Sequence, residues 1–483
     1  MITIAIHRAE QTIKVTQSRC PVCAVEISAR IVERAGAVFM EKECVEHGSF
    51  VVRLQSDARW YFTSQGNPAN ASGEGAACCG TGGCCAPAST SASTSVDPFE
   101  QLSTCVALIE IVDSCNLTCP TCYAESPYGV GGDTKCASFD DVQARVDGVI
   151  ARKGLIDILQ LSGGEPTIHP EFERILRWAV SHPQIGYVLV NTNAVRVAGD
   201  AAFREMLANV RREHRKFELY VQFDGVQESG QHELRGTDLR SMREKAIDAA
   251  GALGVPTTLA MVLDERTIVG VGDTLRWAMA RAHVRGISLQ PMFTSGRVAS
   301  VESRTLPIFP GADTGTGVSA NTRGVVNTMG VSDAVRACVE QAPELLAEAD
   351  FTPLPCGDPN CHTIGYILRT PAGPVGLSRL IDVPKYAGFL QNRVNYNIED
   401  LAKCGCETEP LGELLKALEL RPEDPFRIFI KPFMDAWTFD QDRIDRCCTH
   451  VIRTDGSLDS FCRHYGNSSR SSREIRPVPP GPI

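Results

Sequence analysis

Between residues 105 and 293, six short and almost wholly apolar runs alternate with helical patterns. They read "CVALIEIV", "IDILQLSGG", "GYVLVNTN", "FELYVQFDG", "TTLAMVLD" and "GISLQPMF". A strand that is apolar along its whole length must be covered on both faces, as in a parallel sheet flanked by helices. Stretches such as "EFERILRWAVSH" and "SMREKAIDAAGALG" between the runs carry the apolar stripe of a covering helix. Six βα repeats of this kind predict an α/β fold, a partial (β/α)6 barrel over residues 105–300. Folds of this type keep their chemistry on the loops at the C-terminal ends of the strands.

The loop leaving the first run is "CNLTCPTCYAES", with Cys115, Cys119 and Cys122 in a Cys-x3-Cys-x2-Cys spacing and no fourth cysteine close behind. Three thiolates can hold three irons of a [4Fe–4S] cube and leave the fourth open to a small molecule. The second run ends in "SGGEP", whose paired glycines allow a polar group to approach the backbone.

The chain has twenty cysteines, most of them in close pairs, which suits metal centres better than disulfides in a reducing compartment. The knuckles "CPVC" and "CVEHG" place Cys20, Cys23, Cys44 and His47 as a closed tetrahedral site for Zn2+ or mononuclear iron, in a small module spanning residues 1–65. Residues 66–104 are rich in Gly, Ala and Ser and read as a loop held by metal, with Cys78, Cys79, Cys84 and Cys85. Together with Cys105 they give five candidates for the four places of a second cluster, of which Cys79, Cys84, Cys85 and Cys105 are taken as the set. Residues 105–112 form one strand of about 23 Å, which would put that centre on the far side of the barrel from Cys115.

Residues 301–465 read as a mixed α+β iron–sulfur domain, opening with a loop excursion, and 466–483 as a disordered tail. Within it, "RCCTHVIRTDGSLDSFC" carries an Asp455-Gly456 hairpin signal that pairs Cys462 with Thr449 and so brings Cys462 near Cys448. Cys356 and Cys361 of "PCGDPNCH" complete a four-thiolate set with these two. Cys404 and Cys406 of "KCGC" form a competing set, and Cys447 is unassigned. Cys136, Cys338, His169, His283 and His450 read as ordinary core or surface residues.

The 483-residue chain has a formal net charge of −10 and 22% charged residues. That balance gives no electrostatic footprint for nucleic acid and no broad basic face for a membrane. The opening "MITIAIHRAEQTIKV" lacks the pattern of a signal peptide and no run is long enough to span a bilayer, so a cytoplasmic protein with at most peripheral membrane contact is expected.

With "CNLTCPTC" after one strand and "SGGEP" at the end of the next, the sequence resembles the radical S-adenosylmethionine (radical SAM) superfamily. The order "CPVC…CVEHG", "CNLTCPTCYA", "NTNA", "VQFDG", "PLPCGDPNCHT", "IKPFMDAWTFD" and "RCCTHV…FC" is similar, from about residue 18 to 465, to the tetraether lipid synthases and the related methylases of pterin-type substrates. The resemblance implies an open iron that binds the amine and carboxylate of S-adenosylmethionine, and a 5′-deoxyadenosyl radical that attacks an unactivated sp3 carbon. It implies two auxiliary [4Fe–4S] clusters and a rubredoxin-like or zinc site. Gly163, Gly164, Glu165 and Pro166 match the motif for the cofactor's amino acid head, and Asn191, Asn193, Gln222 and Asp224 are expected as further contacts. Thr121 stands where the family often has an aromatic residue against adenine. The implied activity is C–C bond formation on lipid chains; a methylase of a pterin-type or other small substrate is the alternative, and a non-catalytic iron–sulfur electron carrier the second. Either enzyme would draw on a reductant such as flavodoxin or ferredoxin.

Overall fold

The computed structural model describes residues 10–65, 104–298, 325–353, 357–380 and 424–466. Cys78, Cys79, Cys84, Cys85, Cys356, Cys404 and Cys406, and the expected tail, lie outside the described residues.

Four strands open the chain: β1 (Gln11–Arg19), β2 (Glu26–Arg34), β3 (Ala37–Cys44) and β4 (Gly48–Gln55), paired antiparallel in sequence order. On β3 every second residue is buried, Val38, Met40, Lys42 and Cys44, as a half-buried strand requires. Next come β5 (Val106–Val112), β6 (Ile156–Gly163), β7 (Ile185–Thr192), β8 (Phe217–Gln222), β9 (Thr257–Leu263) and β10 (Val284–Pro291), the six expected runs to within a few residues. Helices Phe139–Lys153, Phe172–Ser181, Ala201–Glu213, Arg240–Ala252 and Val271–Met279 lie between them. The first starts at Ser138, which accepts from the Asp141 N–H, and stops at Gly154 with φ +84°.

The remaining strands are β11 (Val326–Asn327), β12 (Phe351–Pro353), β13 (Thr363–Thr370), β14 (Gly373–Gly376), β15 (Pro425–Ile430), β16 (Thr449–Ile452) and β17 (Leu458–Ser460). β11 joins the N-terminal sheet beside β4. Among the described residues, those of the C-terminal region do not build a separate sheet. β15 pairs parallel with β10, and β16 pairs parallel with β5, so the barrel sheet continues at both edges. Lys431 Nζ donates to Thr449 Oγ1 at 3.2 Å across the seam between β15 and β16.

The Asp455-Gly456 turn forms, but its register differs by one residue from expectation. Arg453 N–H donates to Ser457 O at 2.9 Å, so the loop holds three residues, and Gly456 takes the left-handed position at φ +79°. His450 therefore faces Ser460, and Cys462 lies beyond the ladder on the helix Phe461–Gly466. The side chain of Asp455 accepts from Ser457 N–H and Oγ, which stabilises the longer loop.

The N-terminal sheet docks on the C-terminal segment through Trp437, which packs among Cys20, Cys44, Phe50 and Val52. The Phe50 and Trp437 rings meet edge to face, with centroids 5.6 Å apart. Lys42 is buried at this junction and donates to the carbonyls of Ala436 (2.6 Å) and Trp437 (2.8 Å). Trp437→Ala should cost about 3 to 5 kcal/mol and loosen the N-terminal sheet. Chemical denaturation and limited proteolysis of that sheet would read both, and a variant as stable and as resistant as the native chain would contradict this docking.

Candidate active site at the barrel mouth

β6 can reach the cysteine loop only because its end carries no side chains. A Cβ on Gly163 would lie 2.0 Å from Val112 O, and one on Gly164 2.0 Å from Ser114 O. The glycines thus serve the approach of backbone to backbone, where the sequence suggested the approach of a ligand. Gly164 N–H donates to Val112 O at 2.8 Å and Glu165 N–H to Ser114 O at 3.0 Å, locking the strand end to the loop.

Glu165 is buried at this joint. Its Oε1 accepts from Thr167 N–H, Thr167 Oγ1 and Thr192 Oγ1, and its Oε2 from Asn193 N–H at 2.7 Å. Burial raises its carboxyl above the ordinary range, against the pull of these bonds. Asn193 is thereby fixed with Nδ2 donating to Asn116 Oδ1 at 2.7 Å and facing Cys115 Sγ at 3.7 Å.

Cys115, Cys119 and Cys122 line one cavity of about 300 Å³ with Gly163, Gly164, Glu165, Asn191, Asn193 and Gln222. Burial, followed by the charge of Glu165, pushes the Cys115 thiol up to about 12. A metal must displace that proton, and three thiols from one loop lining one cavity fit a cluster with one open iron.

Two expected cofactor contacts take other roles. Pro166 is buried at the start of the 3-10 turn Pro166–Ile168. Asp224 does not face the cavity: its carboxylate binds Arg235 Nε (2.6 Å) and Nη2 (2.8 Å), Arg243 Nη1 (3.2 Å) and Val262 N–H (3.2 Å). Burial would raise this carboxyl, but the two guanidiniums outweigh it and hold it below the usual range. Arg235, which sequence reasoning missed, does face the cavity. It lies beside Cys119 and faces the Gln222 amide, to whose oxygen Nη1 donates at 2.8 Å when the amide is turned with that oxygen toward the guanidinium. Thr121, in the position of the absent aromatic, ties the cysteine loop to the same helix through Oγ1 to Leu234 O at 3.0 Å.

At the N-terminal module, the ligand atoms of Cys20, Cys23, Cys44 and His47 all lie within 4.8 Å of one another, as one tetrahedral ion requires. No other Cys, His, Asp or Glu group among the described residues converges so tightly. Cys361, Cys447 and Cys462, each half-buried, lie near one another, and desolvation followed by the charges of Cys361 and Cys462 raises Cys447. Cys447, unassigned from the sequence, accompanies Cys361 and Cys462, while the Sγ of the expected Cys448 lies 3.4 Å from where a Cβ on Gly357 would stand. Cys105 N–H donates to Cys448 O at 3.0 Å, and both residues line the barrel cavity. Cys338 is a core residue, and His169 is held by Ala137 O and Glu171 N–H.

Residues 109–278 match the radical SAM superfamily, and residues 12–56 match the HMPTM N-terminal zinc ribbon domain. The barrel is a radical SAM domain, which implies S-adenosylmethionine and a [4Fe–4S] cluster, and the N-terminal sheet is a zinc ribbon. At full length the chain is similar to the 7,8-dihydro-6-hydroxymethylpterin dimethyltransferase of Methanocaldococcus jannaschii, 25% identical over 93% of each chain. The mycofactocin maturase of Mycobacterium tuberculosis is 26% identical over 37% of this chain and 45% of its own, so the chain spans under half of that relative. Among solved structures, Streptococcus suis SuiB with its precursor peptide aligns over 39% of each chain at 13% identity, with a TM-score of 0.32. No helix among the described residues is long and apolar enough to cross a membrane.

Cys119→Ala should remove one cluster's iron and abolish 5′-deoxyadenosine formation while the ribbon keeps its metal. Iron and zinc analysis with cofactor-cleavage assays checks this, and undiminished cleavage would contradict it. Asp224→Asn would strand two buried guanidiniums, at a cost of about 3 to 5 kcal/mol. Adding Arg243→Met should recover part of that loss in denaturant titrations.

Proposed function

We propose that this chain is a radical SAM methyltransferase acting on a pterin-type heterocycle. The observation that carries the reading is the end-to-end likeness to the methanogen dimethyltransferase, over 93% of both chains. Likeness confined to the barrel would speak only for the shared cofactor. Likeness that includes the ribbon and the C-terminal strands extends to the elements that close the cavity.

The cavity supports the same choice. Its lining includes Gln160, Asn191, Glu218, Tyr220 and Gln222, polar groups that suit a heterocycle better than two lipid chains brought end to end. That polar lining favours the methylase over lipid coupling, the first expectation. An electron carrier would have no use for such a cavity. We take the auxiliary thiols Cys105, Cys361, Cys447 and Cys462 as ligands of further clusters, and a flavodoxin or ferredoxin as the reductant.

When bound, the cluster and S-adenosylmethionine supply a carbon-centred radical able to take hydrogen from an unactivated carbon. The chain's own contribution is positional. Glu165 fixes Asn193 against Cys115, Arg235 sets Gln222 and neutralises charge beside Cys119, and Phe293, Phe433 and Phe461 wall the cavity against water.

The test is anaerobic reconstitution with S-adenosylmethionine, a reductant, 7,8-dihydro-6-hydroxymethylpterin and a desalted extract that supplies the one-carbon donor. Mass spectrometry should find 5′-deoxyadenosine and a pterin heavier by one or two methyl groups. Coupled lipid chains in place of methylated pterin would reverse the assignment.

A further inference from the structure

The interior of a small parallel barrel is ordinarily filled by branched apolar side chains. β8 breaks that pattern. Alternate residues of a strand share a face, and here Glu218, Tyr220 and Gln222 all line the cavity. Gln222 stands level with Arg235 and the cysteine loop. Glu218, four residues earlier, lies about 13 Å deeper, near the cavity floor.

Tyr220 is engaged there, since Gln290 Nε2 donates to its hydroxyl at 2.7 Å. Glu218 is only partly engaged. The residue is 4% exposed, yet its one short bond is from Thr258 Oγ1 to Oε1, at 2.8 Å. Its Oε2 meets the Tyr187 hydroxyl at 3.4 Å and Arg427 Nη2 at 3.7 Å. An ionised carboxylate offers about four acceptor positions, so acceptor capacity remains in a place where burying a charge is costly. The strand ladder does not need this side chain, and an apolar residue would fill the same volume without the desolvation cost.

We propose that Glu218 is the substrate anchor, accepting paired N–H donors from the 2-amino-4-oxo-pyrimidine edge of the substrate ring. The ring N–H and the neighbouring exocyclic amine present two parallel donors, which match a carboxylate as a charge-assisted bidentate pair. Held at that edge, the heterocycle lies along the cavity and directs its substituted end up toward the cysteine loop. This inference rests on the pterin-type reading above and adds the residue that selects the ring. Glu218 touches the substrate and determines specificity, and it takes no part in bond making.

The test is binding to the anaerobically reconstituted holoenzyme, read by equilibrium dialysis. The two probes are 7,8-dihydro-6-hydroxymethylpterin and its 2-oxo counterpart, in which a carbonyl replaces the exocyclic amine and would face the carboxylate. The native chain should prefer the pterin by about tenfold or more. Glu218→Gln keeps the side-chain volume and can both donate and accept, so it should weaken pterin binding about tenfold to a hundredfold and shrink the preference to about twofold. The preference of the native chain is informative even if that variant does not fold. Equal affinity of the native chain for both probes, or an unchanged preference in Glu218→Gln, overturns the anchor and leaves the methyltransferase reading standing. A native chain that binds neither probe overturns both.

Discussion

The joint between Gly163-Gly164 and the backbone of Val112–Ser114 is the contact on which the site depends. There is no room for a side chain between the two segments, and two short backbone hydrogen bonds close the gap. The end of β6 is thereby held against the loop that carries the three thiols. Glu165 follows directly and spends both carboxylate oxygens on β7's exit, which orients Asn193 toward Cys115. One steric requirement thus sets the relative positions of three strand ends. A larger residue at either glycine would move the cysteine loop as a whole, because backbone atoms cannot give way as a flexible side chain can.

A second layer of order comes from charge. Asp224, Arg235 and Arg243 form a buried group with one carboxylate and two guanidiniums, so its net charge is positive beside Cys119. Burying charges is favourable only when each is met. The excess positive charge suits a neighbour that becomes more negative on reduction. The helix Gln231–Arg235 is bounded by Gly230 and Gly236, both at positive φ. That geometry lets so short a helix turn Arg235 back toward the cavity while Thr121 pins the cysteine loop to it.

Much of this was legible in the sequence, and the reasons differ by element. The six barrel strands are apolar through and through, so their burial could be read from the runs alone. The ribbon ligands and the three loop cysteines stand at spacings that chemistry constrains tightly. Asp224 was expected at the cofactor because "FDG" at a strand end looks alike whether the carboxylate meets a ligand or arginines from two later helices. The signal for Glu218 was present, a polar residue at every second position of "FELYVQ", yet it is visible only once the strand is known to lie inside a barrel. The flanking strands β15 and β16 come from residues far along the chain, and sequence spacing carries no information on which edge they join. Cys462 falls beyond the ladder and not opposite Thr449 because one extra loop residue changes the register of a hairpin, and the pattern of residues near Asp455-Gly456 is compatible with both lengths.

The position of the polar residues inside the barrel also bears on how far the fold limits its substrate. Along β8 the polarity runs from the carboxylate of Glu218 near the floor, through Tyr220, to the amide of Gln222 at the mouth. An alkyl chain threaded down this face would leave the remaining acceptor capacity of Glu218 unmet, with only Thr258, Tyr187 and Arg427 to offset its burial. A ring with donors on one edge meets the same face with its polar groups matched. The aromatic wall near the mouth tells the same way: Phe433 and Phe461, with centroids 4.2 Å apart, offer flat apolar surface, and flat surfaces hold planar rings in a fixed attitude better than they hold flexible chains. Selection against a long apolar substrate thus follows from what the barrel would have to leave unsatisfied.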